Sequence, residues 1–250
     1  MLNYDDEAVG YDAGRGGEAR AAAAAAAVRE LVPEGAVWLA DLACGTGIVT
    51  ARLAAPGREV VGVDISAGML RFAAGRLPGR VLQGDATRLP LGENTLDAVV
   101  MVWLLHLMDE ATALAAFGEA ARVVRPGGVL VTTVDKADAA YLEPSDVAGL
   151  IAPVRARCSR PNADGLARLT ARAAELGLRP TGQAGFTGLG QGRSPQEWRS
   201  SLLAGRFDWT ASPAGAAELP GLCERLAALP GQDVPRPDPV YRVVSFTKEG

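Results

Sequence analysis

Residues 37–47 have the sequence Val-Trp-Leu-Ala-Asp-Leu-Ala-Cys-Gly-Thr-Gly, an apolar run that passes into a glycine-rich turn. The run over 37–42 predicts a short buried strand. Gly45 and Gly47 permit a tight turn, and a ligand can approach their backbone closely because neither residue carries a Cβ. Glycine-rich turns also serve as plain connections, so the role of this one depends on the sequence around it.

The same alternation of strand and helix continues along the chain. Apolar runs predict further strands over 60–64, 81–85, 96–104 and 129–134, and helices are predicted over 18–32, from the glycine turn through 54, over 67–77 and over 109–124. Continuous apolar strands that alternate with helices are typical of a parallel sheet covered on both faces. We therefore expect an α/β fold with a doubly wound, Rossmann-like sheet, mostly parallel with an antiparallel last strand, plus a helical cap.

The charge pattern argues against a nucleic-acid partner. The chain has 25 Lys and Arg residues against 29 Asp and Glu residues, which gives a formal net charge of −4. Its cations are scattered along the sequence, whereas nucleic-acid-binding proteins usually concentrate them on one face. The prediction is a small-molecule partner and no nucleic acid.

Cysteine usage and hydropathy indicate the compartment. Cys44, Cys158 and Cys223 form no Cys-x-x-Cys pair, so no zinc or other metal site is predicted. An odd, sparse cysteine count favours a reducing compartment. The longest apolar stretch, 98–105, is too short to cross a bilayer, and the acidic residues at the amino terminus do not resemble a signal peptide. We expect a cytoplasmic protein without membrane attachment.

Two carboxylates follow the second and third predicted strands. Asp64 ends one of these strands and Asp85 ends the next. The carboxyl ends of neighbouring strands form the edge at which open α/β sheets bind ligands, so both residues should lie near the glycine turn. Asp64 can accept hydrogen bonds from both ribose hydroxyls of an adenosine. Asp85 can accept from the adenine amine while the backbone N–H of Ala86 donates to the ring.

Two adenosine-containing cofactors compete for this pattern. A dinucleotide site requires Gly-x-Gly-x-x-Gly/Ala, and here the third position is Thr50. S-adenosylmethionine carries no phosphate but ends in an amino acid, whose ammonium Asp41 at the base of the turn can help hold, directly or through water. The residues favour S-adenosylmethionine, and a nicotinamide-dependent oxidoreductase is the weaker alternative.

Five segments resemble the class I S-adenosylmethionine-dependent methyltransferases in their order and spacing. They are Leu-Ala-Asp-Leu-Ala-Cys-Gly-Thr-Gly at 39–47, Val-Asp-Ile-Ser-Ala-Gly-Met-Leu at 63–70, Gly-Asp-Ala at 84–86, Leu-Asp-Ala-Val-Val at 96–100 and Arg-Val-Val-Arg-Pro-Gly-Gly-Val-Leu at 122–130. A looser likeness to actinobacterial small-molecule methyltransferases extends over segments at 194–198, 207–209, 229–231 and 241–246. One departure is Ala43, where many members carry glycine.

The resemblance implies a set of residues that contact the cofactor. The amino-terminal segment 11–15 resembles the part of the family that folds over the cofactor. The resemblance implies that residues of this segment and residues at or after the strand ends contact the adenosine and methionine portions of the cofactor. They are Tyr11, Arg15, Ala43, Cys44, Gly45, Thr46, Gly47, Asp64, Ile65, Met69, Asp85, Ala86 and Met101.

The domain organisation expected on this basis is one methyltransferase domain over residues 1–250. Its parts are an amino-terminal helical lid over 1–35, a cofactor-binding core over 36–136, a helical substrate cap over 137–180, and carboxyl-terminal strands with a helical insertion over 181–250 that complete the sheet. Prolines interrupt the helical pattern of the cap.

His106, which follows the fourth predicted strand, is the candidate general base, because an imidazole titrates near neutral pH. The alternative is a supporting role in packing. The expected reaction is methyl transfer from S-adenosylmethionine to O, N or C of a small molecule, with S-adenosylhomocysteine as product. A specialised metabolite is one candidate for this small molecule. The alternative from another class is a cofactor-binding protein without methyl transfer, either a cyclisation or rearrangement catalyst or a partner subunit.

Overall fold

A computed structural model describes residues 4–142 and 144–250. Its single seven-stranded sheet has the order β3-β2-β1-β4-β5-β7-β6. The strands are β1 (Trp38–Leu42), β2 (Glu59–Asp64), β3 (Val81–Gln83), β4 (Leu96–Met101), β5 (Val124–Val134), β6 (Leu178–Thr187) and β7 (Val240–Lys248).

The pairing of these strands confirms the predicted fold class. β1 runs parallel to both β2 and β4, β2 runs parallel to β3, and β4 runs parallel to β5. β7 runs antiparallel to β5. Because the chain leaves β1 in one direction for β2 and later returns to the other side for β4, the order reverses at β1. Ligands of open α/β sheets bind at such a reversal, outside the carboxyl ends of the strands.

Helices follow most strands, as the sequence predicts. They are α1 (Tyr4–Glu7), α2 (Tyr11–Gly14), α3 (Gly17–Leu31), α4 (Ala67–Arg76), α5 (Glu110–Val123), α6 (Ala139–Leu142), α7 (Asp146–Cys158), α8 (Leu166–Glu175), α9 (Pro195–Leu203) and α10 (Pro213–Ala227). Short 3₁₀ turns lie at Thr50–Leu53, Leu105–Leu107 and Asp208–Ala211. No helix within the described ranges is long and apolar enough to cross a membrane.

The starts of α4 and α5 are set by side-chain caps. The Ser66 hydroxyl accepts a hydrogen bond from the backbone N–H of Met69 and starts α4. The Asp109 carboxylate accepts from the N–H of Thr112 and starts α5. Each cap satisfies a backbone donor that has no partner inside the first turn of the helix.

Three predicted elements are shorter in the structure. The strand expected over 81–85 ends at Gln83, so Asp85 follows this strand and does not end it. The helix expected from the glycine turn through residue 54 is only the 3₁₀ turn Thr50–Leu53, because the chain becomes extended at Ala54 ahead of Pro56. The strand expected over 96–104 ends at Met101. Trp103 takes a left-handed conformation, with φ of 60°, and donates its N–H to the Thr133 hydroxyl, so the chain leaves the sheet before that residue.

The core lies between the sheet and its helices. Phe117 of α5 packs edge-on against Phe246 of β7, with ring centroids 5.5 Å apart. The alanine run of α3 buries Ala21, Ala24, Ala25 and Ala27, which confirms that this helix packs through small side chains. These elements hold the carboxyl ends of β1, β2 and β4 in fixed positions.

The described chain divides into two compact units. The first contains the residues up to Lys136, Asn162–Phe186 and Tyr241–Gly250, and the second contains Ala137–Pro161 and Thr187–Val240. The second unit has its own core, in which Trp198 stacks on Phe207 with centroids 5.3 Å apart. Helix α8 and nearly all of β6 thus belong to the first unit. The division into lid, cofactor core and substrate cap is a statement about function, and it stays a prediction.

Candidate active site

The loop after β1 curls through three left-handed residues. Ala43, Gly45 and Gly47 have φ values of 58°, 56° and 75°. The N–H of Cys44 donates to the Val63 carbonyl of β2, at 3.1 Å, and this bond fixes the start of the loop against the neighbouring strand. Gly45 and Gly47 adopt this conformation without strain, whereas the Cβ of Ala43 costs about 1–2 kcal/mol there.

Asp64 joins this loop to the start of α4. One carboxylate oxygen accepts from the N–H of Gly45 at 2.8 Å, and the other accepts from the N–H of Ser66 at 2.8 Å. Burial raises the pKa of Asp64, and the two backbone donors oppose that shift. Each oxygen of a carboxylate has a second lone pair, so Asp64 can still accept hydrogen bonds from two neighbouring hydroxyls.

An exposed apolar surface lies next to Asp64. Ile65 is 68% exposed although it directly follows a buried strand. Asp85 is exposed, and one of its oxygens accepts from the N–H and the hydroxyl of Thr87, both at 2.8 Å. Ala86 is half-buried beside it. A flat heterocycle fits this combination, because its face can pack on Ile65 while its edge forms hydrogen bonds.

Seven of the expected contact residues are buried, namely Asp41, Cys44, Thr46, Gly47, Asp64, Met69 and Met101. Asp41 is 3% exposed and accepts from the Thr50 hydroxyl at 2.6 Å. Burial raises the pKa of Asp41 to about 7, and the charge of Asp64 adds to this effect. Met69 and Met101 are 1% and 0% exposed. Their side chains must move before they can touch a ligand, so these contacts stay predictions.

Cys44 and Thr46 point away from the open side of the loop. A Cβ on Gly62 would meet the Cys44 sulfur at 2.7 Å, which shows that this thiol packs against β2. Burial raises the pKa of Cys44. The Thr46 side chain is buried and bonds to the amino-terminal segment described next. Both residues can meet a ligand chiefly through their backbone.

We call α1 and α2 with their connection, residues 4–14, the amino-terminal cover. Asp5 accepts from the Ser66 hydroxyl and from the N–H of Gly68, both at 2.6 Å, at the start of α4. Asp12 accepts from the Thr46 hydroxyl at 2.6 Å and pairs with Arg76 at 2.7 Å.

Tyr11 of the cover lies over the glycine turn. A Cβ on Gly45 would be 4.0 Å from its ring. The cover therefore lies over the loop after β1 and the start of α4. Sequence reasoning singled out Tyr11 and Arg15 here but missed Asp5 and Asp12. Their only signal was an excess of acidic residues before α3.

A second depression opens beside the cover, and we call it the Trp103 cleft. It is shallow, and its wall includes Tyr11, Asp12, Arg15, Arg20, Ile48 and Trp103. The Arg20 guanidinium lies 3.8 Å from the centroid of the Trp103 ring. Sequence reasoning missed both partners. The only sequence signal for Arg20 was its position, a long cationic side chain just before the alanine run of α3. Trp103 gave no sequence signal, because its left-handed conformation depends on tertiary contacts.

His106 lies in the 3₁₀ turn that follows Trp103. Burial lowers its pKa to about 3, and the positive charges of Lys136, Arg20 and Arg15 act in the same direction. Within the described ranges, no hydrogen-bond partner reaches its Nδ1 atom. The imidazole is therefore neutral at pH 7 and binds a proton weakly in this structure, although it can still donate or accept a hydrogen bond.

Comparison with known proteins finds methyltransferases similar to the part of the chain that contains β1 to β4 and most of β5. The family model described as a methyltransferase domain matches residues 40–132. An uncharacterized methyltransferase of Mycobacterium tuberculosis is 42% identical over 105 residues, which is 42% of each chain. A demethylmenaquinone methyltransferase of the same species is 45% identical over 91 residues, 36% of this chain and 38% of that protein. The chain thus spans about two fifths of the length of the curated relatives it matches.

Solved structures share the fold over almost the whole chain. The [4+2]-cyclase SpnF has a TM-score of 0.60 at 20% identity, over 98% of this chain and 94% of that one. A TehB-like S-adenosylmethionine-dependent methyltransferase from Corynebacterium glutamicum has a TM-score of 0.54 at 16% identity, over 98% of both chains. At these identities the likeness shows the fold alone.

Proposed function

We propose that this chain, which matches the family model of a methyltransferase domain over residues 40–132, is a class I S-adenosylmethionine-dependent methyltransferase that transfers a methyl group to O, N or C of a small-molecule acceptor. The observation that carries the proposal is the position of Asp64. It lies at the carboxyl end of β2, next to the reversal of strand order, and bonds to the glycine turn at 2.8 Å. An adenosine ribose bound beside this turn would donate its hydroxyls to Asp64.

Different residues along this edge of the sheet bind different parts of the cofactor. Asp64 accepts from the ribose hydroxyls, Ile65 packs on the adenine face, and Asp85 with the N–H of Ala86 pairs with the adenine edge. The backbone of Ala43–Gly47 supports the methionine portion. Tyr11 and Arg15 cover the site from above, and Asp41 acts on the ammonium through the loop or a water molecule. These assignments rest on the exposed surfaces and hydrogen-bonding capacity described above.

The chemistry requires alignment more than acid–base help. When bound, S-adenosylmethionine supplies a methyl group on a positively charged sulfur, which is already electrophilic. The protein has to exclude water and hold the acceptor atom in line with that methyl group. With its pKa lowered to about 3, His106 is a weak base, so we propose that it orients the acceptor by a hydrogen bond.

A small-molecule acceptor is the finer part of the proposal. It is supported by the scattered cations of the chain and by the mycobacterial relative named for demethylmenaquinone, a small molecule. We also propose a cytoplasmic location, which cysteine usage supports. A role in specialised metabolism is proposed from the sequence likeness over the second half of the chain. The identity of the acceptor is outside this proposal.

Calorimetric titration with S-adenosylmethionine, and separately with NAD, tests the cofactor. We expect micromolar binding of the former alone. Asp64→Asn should weaken this binding about 10- to 100-fold, because hydrogen bonds to a charged acceptor contribute roughly 1.5–3 kcal/mol. Asp97→Asn is the matched control. Asp97 also accepts from two backbone N–H groups, those of Val37 and Trp38, but at the opposite end of the sheet.

Equal affinity in wild type and Asp64→Asn would contradict the ribose assignment, and binding of NAD alone would favour an oxidoreductase. Conversion of bound cofactor to S-adenosylhomocysteine in the presence of acceptors then separates transfer from mere binding. Cofactor binding without any conversion across an acceptor screen would favour a cyclisation or rearrangement catalyst, or a partner subunit.

A further inference from the structure

Asp164, in the loop between α7 and α8, is an acid that the fold encloses completely. It is 0% exposed. Its Oδ2 atom accepts from the backbone N–H of Lys136 at 2.9 Å, but among the residues that the structure describes no donor reaches Oδ1. An ionised carboxylate is stable inside a protein only when hydrogen bonds or an opposite charge replace the water that it has lost. One oxygen of Asp164 has such a partner, and the other does not.

The loop that carries Asp164 is bonded to the turn after β5, and we call residues 135–136 together with residues 162–166 the β5 clasp. The N–H of Asp135 donates to the Asp164 carbonyl at 3.0 Å. The Asp135 carboxylate accepts from the N–H of Leu166, the first residue of α8, at 3.2 Å. With the bond from Lys136, each segment of the clasp therefore donates hydrogen bonds to the other.

Asp135 is fixed beside Asp164 by contacts with two other elements. Its carboxylate pairs with Arg242 of β7 and accepts from the start of α8. Its backbone has a φ of 48°, a left-handed conformation that few residues other than glycine adopt. The closed clasp thus holds two acidic residues next to each other, one of them without access to water.

The protonation of Asp164 depends on this arrangement. Burial raises the pKa of Asp164, and the negative charge of Asp135 adds to that shift, whereas the N–H and the ammonium of Lys136 oppose it without cancelling it. On the α8 side, the guanidinium of Arg168 pairs with Glu110 at 3.1 Å. The folded protein therefore keeps a proton on Asp164 up to a higher pH than the unfolded chain does. Oδ1, which has no donor, is the oxygen that carries this proton.

We propose that the β5 clasp is a pH-sensitive latch, closed while Asp164 is a carboxylic acid and opened locally when that acid loses its proton. Ionisation places a negative charge without a donor on Oδ1, beside the carboxylate of Asp135. Water reaches this oxygen when residues 162–166 separate from the turn after β5, and that separation breaks the bonds from the N–H groups of Asp135 and Lys136. The latch is therefore complete at low pH and is lost as the pH rises through the raised pKa of Asp164.

The latch lies at a part of the fold where mobility has consequences. β5 pairs with β4, and the carboxyl ends of both strands belong to the edge at which open α/β sheets bind ligands. Residues 137–161 leave the first compact unit directly after Lys136 and re-enter it at Asn162. Opening of the clasp would thus release both ends of this segment, whether or not the chain transfers a methyl group.

Amide hydrogen exchange, measured by NMR between pH 4 and pH 8, tests the latch. After correction for the intrinsic exchange rate, protection of the Asp135 and Lys136 amides should fall about tenfold for each pH unit above about pH 4. It should become constant once Asp164 is also ionised in the closed state. Asp164→Asn keeps an acceptor for the Lys136 N–H but cannot ionise, so protection in this variant should not depend on pH.

Asp97→Asn is the matched control. Asp97 also accepts from backbone N–H groups, but both of its oxygens have partners, and its pKa is lowered. Exchange at Lys136 in this variant should follow wild type. Asp135→Asn is a second test variant, because it keeps an acceptor for α8 and removes the charge that repels ionised Asp164. Its protection should become constant at a lower pH than in wild type.

The same dependence of protection on pH in wild type and Asp164→Asn would overturn the proposal. So would a carboxyl ¹³C titration in which Asp164 of the folded protein ionises at or below its ordinary value of 3.8, because the buried carboxylate would then be stable without its proton. This titration uses wild-type protein, so it decides the question even if Asp164→Asn does not fold.

Discussion

Ala43 occupies a left-handed position, with φ of 58°, and its Cβ makes that position a source of strain. Ala43→Gly should relieve about 1–2 kcal/mol of strain, against about 0.5–1 kcal/mol of added chain entropy in the unfolded state. The net expectation is a stability equal to wild type or higher by up to about 1 kcal/mol, measured by urea unfolding.

Ala54→Gly is the control for this change, because Ala54 has an ordinary φ of −62°. It carries the same entropy cost with no strain to relieve, so it should destabilise the protein. If the two substitutions had equal effects, the strain assigned to Ala43 would be absent.

Asp41 should make stability depend on pH in the direction opposite to most carboxylates. Its pKa in the folded protein is raised to about 7 from 3.8, so between these values the folded state holds a proton that the unfolded state has lost. The contribution of Asp41 to stability is complete below about pH 4 and is lost as pH rises to about 7, at about 1.4 kcal/mol per pH unit.

Asp41→Asn can still accept from the Thr50 hydroxyl but does not titrate. Relative to wild type, it should gain on the order of 2–3 kcal/mol of stability between pH 5 and pH 8. Urea unfolding of both proteins at pH 5 and at pH 8 measures this difference in the free energy of unfolding. The pH dependence that comes from all other titrating groups cancels between the two proteins. Parallel pH profiles for the two proteins would mean that Asp41 is ionised in its buried position.

At the scale of elements, the sequence predicted most of the sheet but not the amino-terminal cover. Strands β1, β2 and β4 are continuous apolar runs, and α4 begins at a serine cap, so local pattern was sufficient for them. Residues 4–14 show no periodic pattern. Their place depends on hydrogen bonds from Asp5 and Asp12 to residues far along the chain, and no local propensity encodes such contacts.

Gly68→Ala tests how the cover is attached. A Cβ at this position would lie 2.7 Å from the Cα of Asp5, so the cover must shift although the helix itself accepts alanine well. We expect faster hydrogen exchange over residues 4–14 and weaker cofactor binding. Gly75→Ala is the control in the same helix, since a Cβ there meets nothing within 4 Å. Unchanged exchange over the cover in Gly68→Ala would show that α1 is not held at α4.

At the scale of the whole molecule, the predictable part of the candidate site is the part built from strand ends. Topology alone brings the glycine turn, Asp64 and Asp85 to one edge of a parallel sheet, so their spacing in the sequence was informative. Arg20 and Trp103 lie together because α3 packs near the end of β4, and that contact leaves no mark in either segment. Contacts of this kind between distant side chains were therefore less visible in the sequence than the residues at strand ends.

The attachment of the cover at two points has a consequence for the catalytic cycle. The carboxylates of Asp5 and Asp12 hold residues 4–14 across the loop after β1 and the start of α4, where the proposed nucleoside would lie. We expect exchange of that nucleoside to require both attachments to open. Departure of S-adenosylhomocysteine, rather than the transfer itself, would then limit steady-state turnover of the proposed reaction.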